Sequence, residues 1–345
     1  MVLSDHLARH GRTPAIAGPA LVEMLRDSGL TGRDSSGSLV HAVLAAALAA
    51  RRAGGLPEVL ARSELSEPAS RKDTALLWVS PHLVLDGLQL AALAVGARRA
   101  SLCVGRQPSE RLRDTLHTVL ADRARAGLDA VPTDLTVPDG PAGRNEPAGR
   151  NEPAGPAHQA GPVLVANVET LAHVALIARY GVGSFRDVGT PAEPGTMLCT
   201  VRQPHGGVDI VEAPIGAPVG DLVTLDDTTQ AVLAGGYHGQ WLPAASAAAL
   251  PLSHAGLRDA SLRLPGASVG AGVLAALPGD RCGLAETSRV AGYLARESRL
   301  DAARFVHCAL GVFSDEVRLH EQGRCRAPGG RPFLPVPLPC DFTHA

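Results

Sequence analysis

Residues 141–152 are two immediate copies of the hexapeptide Pro-Ala-Gly-Arg-Asn-Glu, and a third copy begins at Pro153. Proline removes an amide donor and glycine removes a side chain, so such a tandem neither pairs into a ladder nor buries apolar surface. It reads as a linker left by a duplication, not as a binding element. Any core must therefore be assembled from the chain on its two sides.

Those flanks suffice for two or three domains in 345 residues. Apolar residues make up 45% but aromatics only 3%, so the core mass comes from Ala, Leu and Val. Ala20–Arg26 is amphipathic up to a stop at Ser28-Gly29. Leu39, Ala42, Val43 and Ala46 recur at helical spacing and predict a helix over 38–52. Leu83–Ala97 predicts a second helix, Ala100–Val104 a buried strand, and a further helix starts near Ser109. That order is the grammar of an open α/β sheet.

Downstream, Val163–Ala166 predicts a strand and Glu169–Tyr180 a helix. Thr196–Val201, Gly207–Ala213 and Gln230–Ala234 predict strands, with a short helix near Val219–Leu222, and together they read as a small β-grasp-like domain. Gly272–Leu277 predicts another strand and Leu284–Glu297 a helix.

The formal net charge is -2 and Lys72 is the only lysine. No basic face interleaved with aromatics is present, so nucleic acid is not an expected partner. The longest uncharged apolar run, Ala42–Ala50, falls short of the roughly 20 residues of a membrane span, and no transmembrane segment is expected. The N-terminus carries Asp5 and His6 in place of a basic start and an apolar stretch, so a soluble cytoplasmic protein is expected. Six dispersed cysteines include no C-x-x-C pair, which leaves neither a zinc knuckle nor a redox dithiol. Scattered thiols of this kind read as reduced and buried.

Three segments could carry chemistry. Ser28–Gly37 holds Gly29, Gly32 and Gly37 with Arg33 ahead of a helix, either a phosphate-binding turn or a plain capping loop. Glu64, Glu67 and Asp73 lie in one charged stretch, suited to ribose hydroxyls or simply to solvent. Asn167 and Thr170 stand where a strand runs into a helix, so Asn167 is either a ligand-facing amide or the helix N-cap.

Taken in order, these segments resemble the NADH-binding flavoprotein subunit of respiratory complex I and its relatives in NAD-dependent formate dehydrogenases and hydrogenases. The matching residues are Ser28 to Arg33, Glu67-Pro68, Lys72-Asp73, Pro81-His82, Asn167 to Thr170 and Glu193 to Thr196. They continue with Glu212, Pro214 and Gly216, then Gly235-Gly236-Tyr237 with Gly239, Gly270 with Gly272, and Glu297-Ser298. Pro81–Gly87 and Gly283–Thr287 resemble a bacterial branch of single-gene homologues.

The resemblance implies a Rossmann-like FMN-binding α/β domain, an inserted β-grasp (SLBB) domain and a C-terminal helical segment. The implied layout is 1–130 and 162–192 as the α/β domain, 131–161 as the linker, and 193–250 as the β-grasp domain. A return to the α/β domain over 251–282, helices over 283–322 and an irregular tail over 323–345 complete it. It further implies FMN and NAD(H) as cofactors, held by Gly29, Gly32, Arg33, Gly37, Glu64, Glu67, Asp73, Asn167 and Thr170. A ferredoxin-like electron-transfer partner is implied as well. In the family, flavin accepts hydride from NADH and passes single electrons to an iron–sulfur cluster.

The departures fall on ligand positions. Asp34 and Ser35 replace two loop glycines, and Asp34 brings negative charge where the phosphate needs positive potential. Arg62, Leu65 and Ala166 stand at other family ligand positions, and the hexapeptide repeat occupies the place of a carboxylate segment that closes over the flavin. A 4Fe–4S cluster takes about four thiolates. Cys308 is a lone remnant of that motif, so no cluster and no other metal is expected. The adjacent His307 and Cys308 point about 100° apart on a helix and read as packing residues, not a dyad. No G-x-G-x-x-G follows a strand, which disfavours a Rossmann dehydrogenase. Two readings remain: an NADH- and FMN-binding electron-transfer protein with its cluster lost, or a non-catalytic homologue acting as a binding or scaffold protein.

Overall fold

The computed structural model describes residues 2–34, 36–52, 58–63, 67–105, 108–137, 163–260 and 269–298. Glu64, the hexapeptide repeat and Cys308 lie outside them.

The first part runs α1 (Leu3–His10), α2 (Gly18–Ser28), α3 (Val40–Arg52), β1 (Glu58–Arg62), α4 (Lys72–Val79), α5 (Pro81–Val95) and β2 (Ala100–Cys103). It continues α6 (Glu110–Arg125), β3 (Thr133–Thr136), β4 (Val163–Asn167) and α7 (Val168–Arg186). The four strands form a parallel sheet in the order β3-β2-β1-β4. Register pairs Arg62 with both Cys103 and Asn167, so the carboxyl ends of three strands line up. Chain order reverses between β1 and β4, the place where open α/β sheets put ligands.

The predicted helices and strands of this half form close to their expected bounds. Gly29 ends α2 in the left-handed conformation at φ 70°, and the Ser109 hydroxyl caps α6 at the Leu112 amide. β1, β3, α1 and α4 were not expected from the sequence. β1 reads Glu-Val-Leu-Ala-Arg and β3 Thr-Asp-Leu-Thr, too short and polar-ended to signal a strand. α5 is buried along nearly its whole length and lies against α7.

The second part runs β5 (Thr196–Arg202), β6 (Val208–Pro214), α8 (Val219–Leu222), β7 (Thr229–Ala234), β8 (Gln240–Pro243) and α9 (Ala244–Ala247). It ends with α10 (His254–Ala260), β9 (Val273–Pro278) and α11 (Gly283–Ser298). The sheet order is β6-β5-β9-β7-β8. β9 runs parallel to β5 and antiparallel to β7, between two hairpins. The segment expected to return to the α/β domain thus places its strand at the centre of the second sheet. A short apolar run announces a buried strand but not which sheet receives it, and β9 is buried on both faces.

Among the described residues no single helix is long and apolar enough to cross a membrane. Cys103 and Cys199 are free and buried, whereas Cys282 is disulfide-bonded, against the expectation of reduced thiols throughout.

Candidate functional site

The three segments singled out in the sequence converge at the N-terminal end of α7. Asn167 caps that helix, its Oδ1 accepting from the Glu169 amide at 2.9 Å and the Thr170 amide at 3.4 Å. Its Nδ2 donates to Asp73 Oδ2 at 2.7 Å. Thr170 Oγ1 accepts from the Arg33 amide at 2.8 Å, which ties the glycine loop to α7.

At the centre stands Lys72, fully buried, its Nζ donating to Glu169 Oε2 at 2.6 Å, the Arg33 carbonyl at 2.8 Å and Asp73 Oδ1 at 2.9 Å. Burial alone would lower its pKa, but the Asp73 and Glu169 carboxylates outweigh that and raise it. Burial likewise opposes charge on Glu169, yet Lys72 and then His173 bring its carboxyl down to about 2. The other Glu169 oxygen accepts from the Leu198 amide of β5 at 2.6 Å. Lys72 and Glu169 were missing from the expected ligand set. The signal was present, because a chain that uses arginine elsewhere keeps its single lysine next to an aspartate.

Arg33 is buried too, and desolvation lowers its pKa. Its guanidinium donates to the Thr196 carbonyl at 3.0 Å, the Pro194 carbonyl at 3.1 Å and Thr31 Oγ1 at 2.9 Å. Glu67, 5% exposed, accepts from the Ala69 amide at 3.0 Å and from the Tyr237 amide at 2.6 Å. Gly236 there has φ 82°, and a Cβ on it would run into the Glu67 carboxylate, so the glycine lets the acid reach the turn.

The glycine loop is closed by its own groups. The Gly32 amide donates to the Ser38 carbonyl at 2.8 Å. Asp34 Oδ1 accepts from the Ser36 amide at 3.0 Å and the Ser36 hydroxyl at 2.5 Å. Gly29 serves as the α2 cap, and Gly37, at φ 56°, leaves room for the His254 ring. A recess of about 270 Å³, open mouth included, is lined here by Gly32, Arg33, Asp34, Glu193, Met197 and His254. The space it encloses is only about 10 Å³, far below the roughly 300–1,000 Å³ of small-molecule sites.

These residues do not fit the phosphate of FMN. An anion cradle needs free amides and a positive field. In this loop the Gly32, Arg33 and Ser36 amides are bonded internally, Asp34 supplies the anion from within, and Glu193 adds a second carboxylate. Arg33 and Lys72 are both committed to internal acceptors. Of the residues expected to bind cofactor, Arg33, Asp73, Asn167 and Thr170 come together, Glu67 joins them through the segment that leads to Lys72, and Glu64 lies outside the described residues.

Fold and site define an α/β protein with a Rossmann-like parallel sheet, seamed to a second, mixed sheet by a buried lysine–carboxylate network. No family model and no curated protein matches the chain. Among solved structures it is similar to a chain of an NAD+-reducing NiFe hydrogenase in the air-oxidized state, with a TM-score of 0.69 and 26% identity over 86% of this chain and 53% of that chain. The H2-reduced state of such a hydrogenase matches with a TM-score of 0.65 and 24% identity over 81% of this chain and 50% of that one. This chain thus spans about half the length of the hydrogenase chains it matches. The resemblance read from the motifs is met in three dimensions: the chain resembles the NADH-binding flavoprotein subunit of complex I and its hydrogenase relatives.

Proposed function

We propose that this chain serves an NADH-dehydrogenase-like electron-transfer assembly as a soluble, cytoplasmic binding or scaffold subunit that does not itself carry FMN. One observation carries the reading: the loop matching the family's flavin loop is closed by its own Asp34, with its Gly32, Arg33 and Ser36 amides and the side chains of Arg33 and Lys72 bonded within the protein. A ferredoxin-like protein is the class of partner that suits such a subunit. The single cysteine at the cluster motif, Cys308, accords with a chain that has given up electron transfer of its own.

The second reading keeps FMN and NAD(H) as cofactors, with only the cluster lost. It is favoured by the convergence of Arg33, Asp73, Asn167 and Thr170 and by the likeness to an NAD+-reducing hydrogenase over most of the chain. Titration of the purified protein with FMN, followed by flavin fluorescence and visible absorption, separates the two. The expected result is no saturable binding and no NADH-dependent dye reduction. Stoichiometric flavin with NADH-driven turnover would establish the second reading instead.

A further inference from the structure

The amino-terminal helix is docked through titratable side chains remote from the lysine–carboxylate network. On α1, His6 is 1% exposed and its Nε2 donates to Asp86 Oδ2 of α5 at 2.7 Å. Asp86 also faces Arg123 of α6 at 2.9 Å and Arg179 of α7 at 2.5 Å. Arg123 pairs further with Asp129 at 2.7 Å, and Arg179 returns to α1 through the His10 carbonyl at 3.1 Å. His10 Nδ1 meets the Tyr180 hydroxyl at 2.8 Å. Beneath α1 lies His82, also 1% exposed, its ring 5.4 Å from that of His6. The Nδ1 atoms of His6 and His82 are buried without a hydrogen-bond partner.

We propose that α1 is a latch keyed to histidine protonation: it seats on α5, α6 and α7 near neutral pH and lifts off in mild acid, uncovering Asp86, Arg123 and Arg179. His82 is the sensing group. It sits in the first turn of α5, where the positive end of the helix dipole opposes a cation, and Arg123 donates to its carbonyl at 3.3 Å. Burial, then Arg123 and His6, against the pull of Asp86, bring its imidazole down to about 4. His10 is lowered in the same direction by burial, then by His6, Arg179 and the exposed Arg9.

A proton on His82 adds a buried donor without an acceptor next to an arginine, and both features are costly. Releasing α1 is the least demanding relief, because α1 has eight residues and His6 is the one it buries. The sign follows from the lowered pKa. Docking is intact above the ordinary imidazole value of 6.5 and weakens as pH falls from there toward about 4. Between pH 7.5 and 5 that linkage amounts to at most about a 30-fold loss in the docking equilibrium, because Arg123 of α6 stays beside His82 when α1 lifts.

Amide hydrogen exchange of the full chain at both pH values, corrected for intrinsic rates, reads this directly. Protection over residues 3–10 should fall several-fold, and by no more than about 30-fold, while α5 and α7 keep theirs. His82→Gln should remove most of that loss, leaving only the smaller part that His10 contributes. Equal protection at both pH values, or an undiminished loss in H82Q, overturns the latch. Should H82Q fail to fold, the wild-type protein labelled at its histidine rings decides: the His82 resonance and the α1 amides must shift with one midpoint, well below 6.5. Separate midpoints overturn the proposal.

Discussion

Lys72 has no water to fall back on. It is fully buried between Asp73 and Glu169, which are themselves 3% and 2% exposed. Removing one partner of such a group leaves the others charged and unpaired, which costs about 3–5 kcal/mol. Lys72→Met should therefore lower stability in urea by that amount at pH 7. The pH dependence of the deficit tests the cause. Glu169 is held down to about 2, below the ordinary 4.5, so its stabilising contribution is present above 4.5 and is lost as pH falls toward 2. Without Lys72 the Glu169 carboxyl rises and can take a proton, so the deficit of K72M should shrink between pH 7 and pH 4.5. A deficit of equal size at both values would mean that Lys72 is not what keeps Glu169 ionised. At this scale the sequence was half legible. Asn167 was readable as an N-cap or a ligand, and it caps α7 while its amide nitrogen turns inward to Asp73. Nothing local to Glu169 showed that its carboxylate reaches forward to Leu198 as well as back to Lys72, because both contacts are long-range.

Elements were legible where apolar residues recur with a period and obscure where burial comes from neighbours. α5 was plain from its run of leucines, whereas β1, central to the parallel sheet, offers only Val59, Leu60 and Ala61 between two charged ends. A strand flanked by parallel neighbours is recognised by what covers it, and that information lies elsewhere in the chain. α5 also contains a glycine that propensity disfavours. Gly87 faces α7, and a Cβ there would run into the Leu171 carbonyl, so the glycine is what lets the two helices approach. In an open helix Gly→Ala gains roughly 0.5–1 kcal/mol. Here Gly87→Ala should instead destabilise by about 1–3 kcal/mol, because the added carbon meets backbone that cannot rotate away. Thermal melts of the variant against wild type check the sign. A raised Tm would mean that α5 and α7 slide apart without penalty.

Among the described residues one apolar cluster lies under the parallel sheet and its helices, and two more lie on the faces of the mixed sheet. The join between them is largely polar: Arg33 to Thr196 and Pro194, Glu169 to the Leu198 amide, Arg71 to Thr200, and Glu67 to Tyr237. This is why convergence of the motifs could be read from the sequence while their task could not. A ligand cradle and an interdomain seam both bring charged groups to one buried place, and they differ only in whether a partner is left for something outside. A seam makes its own demand on behaviour. If these bonds are what couples two separate cores, weakening them should split unfolding before it abolishes folding. Arg33→Met removes the guanidinium and strands the carbonyls of Pro194 and Thr196, leaving all three apolar clusters untouched. Wild type should unfold in calorimetry as one transition, and R33M as two, with the calorimetric enthalpy exceeding the van't Hoff value. A single transition in R33M at the wild-type Tm would mean that the two sheets are coupled by something other than this network, and the glycine loop would again be open to a ligand's account.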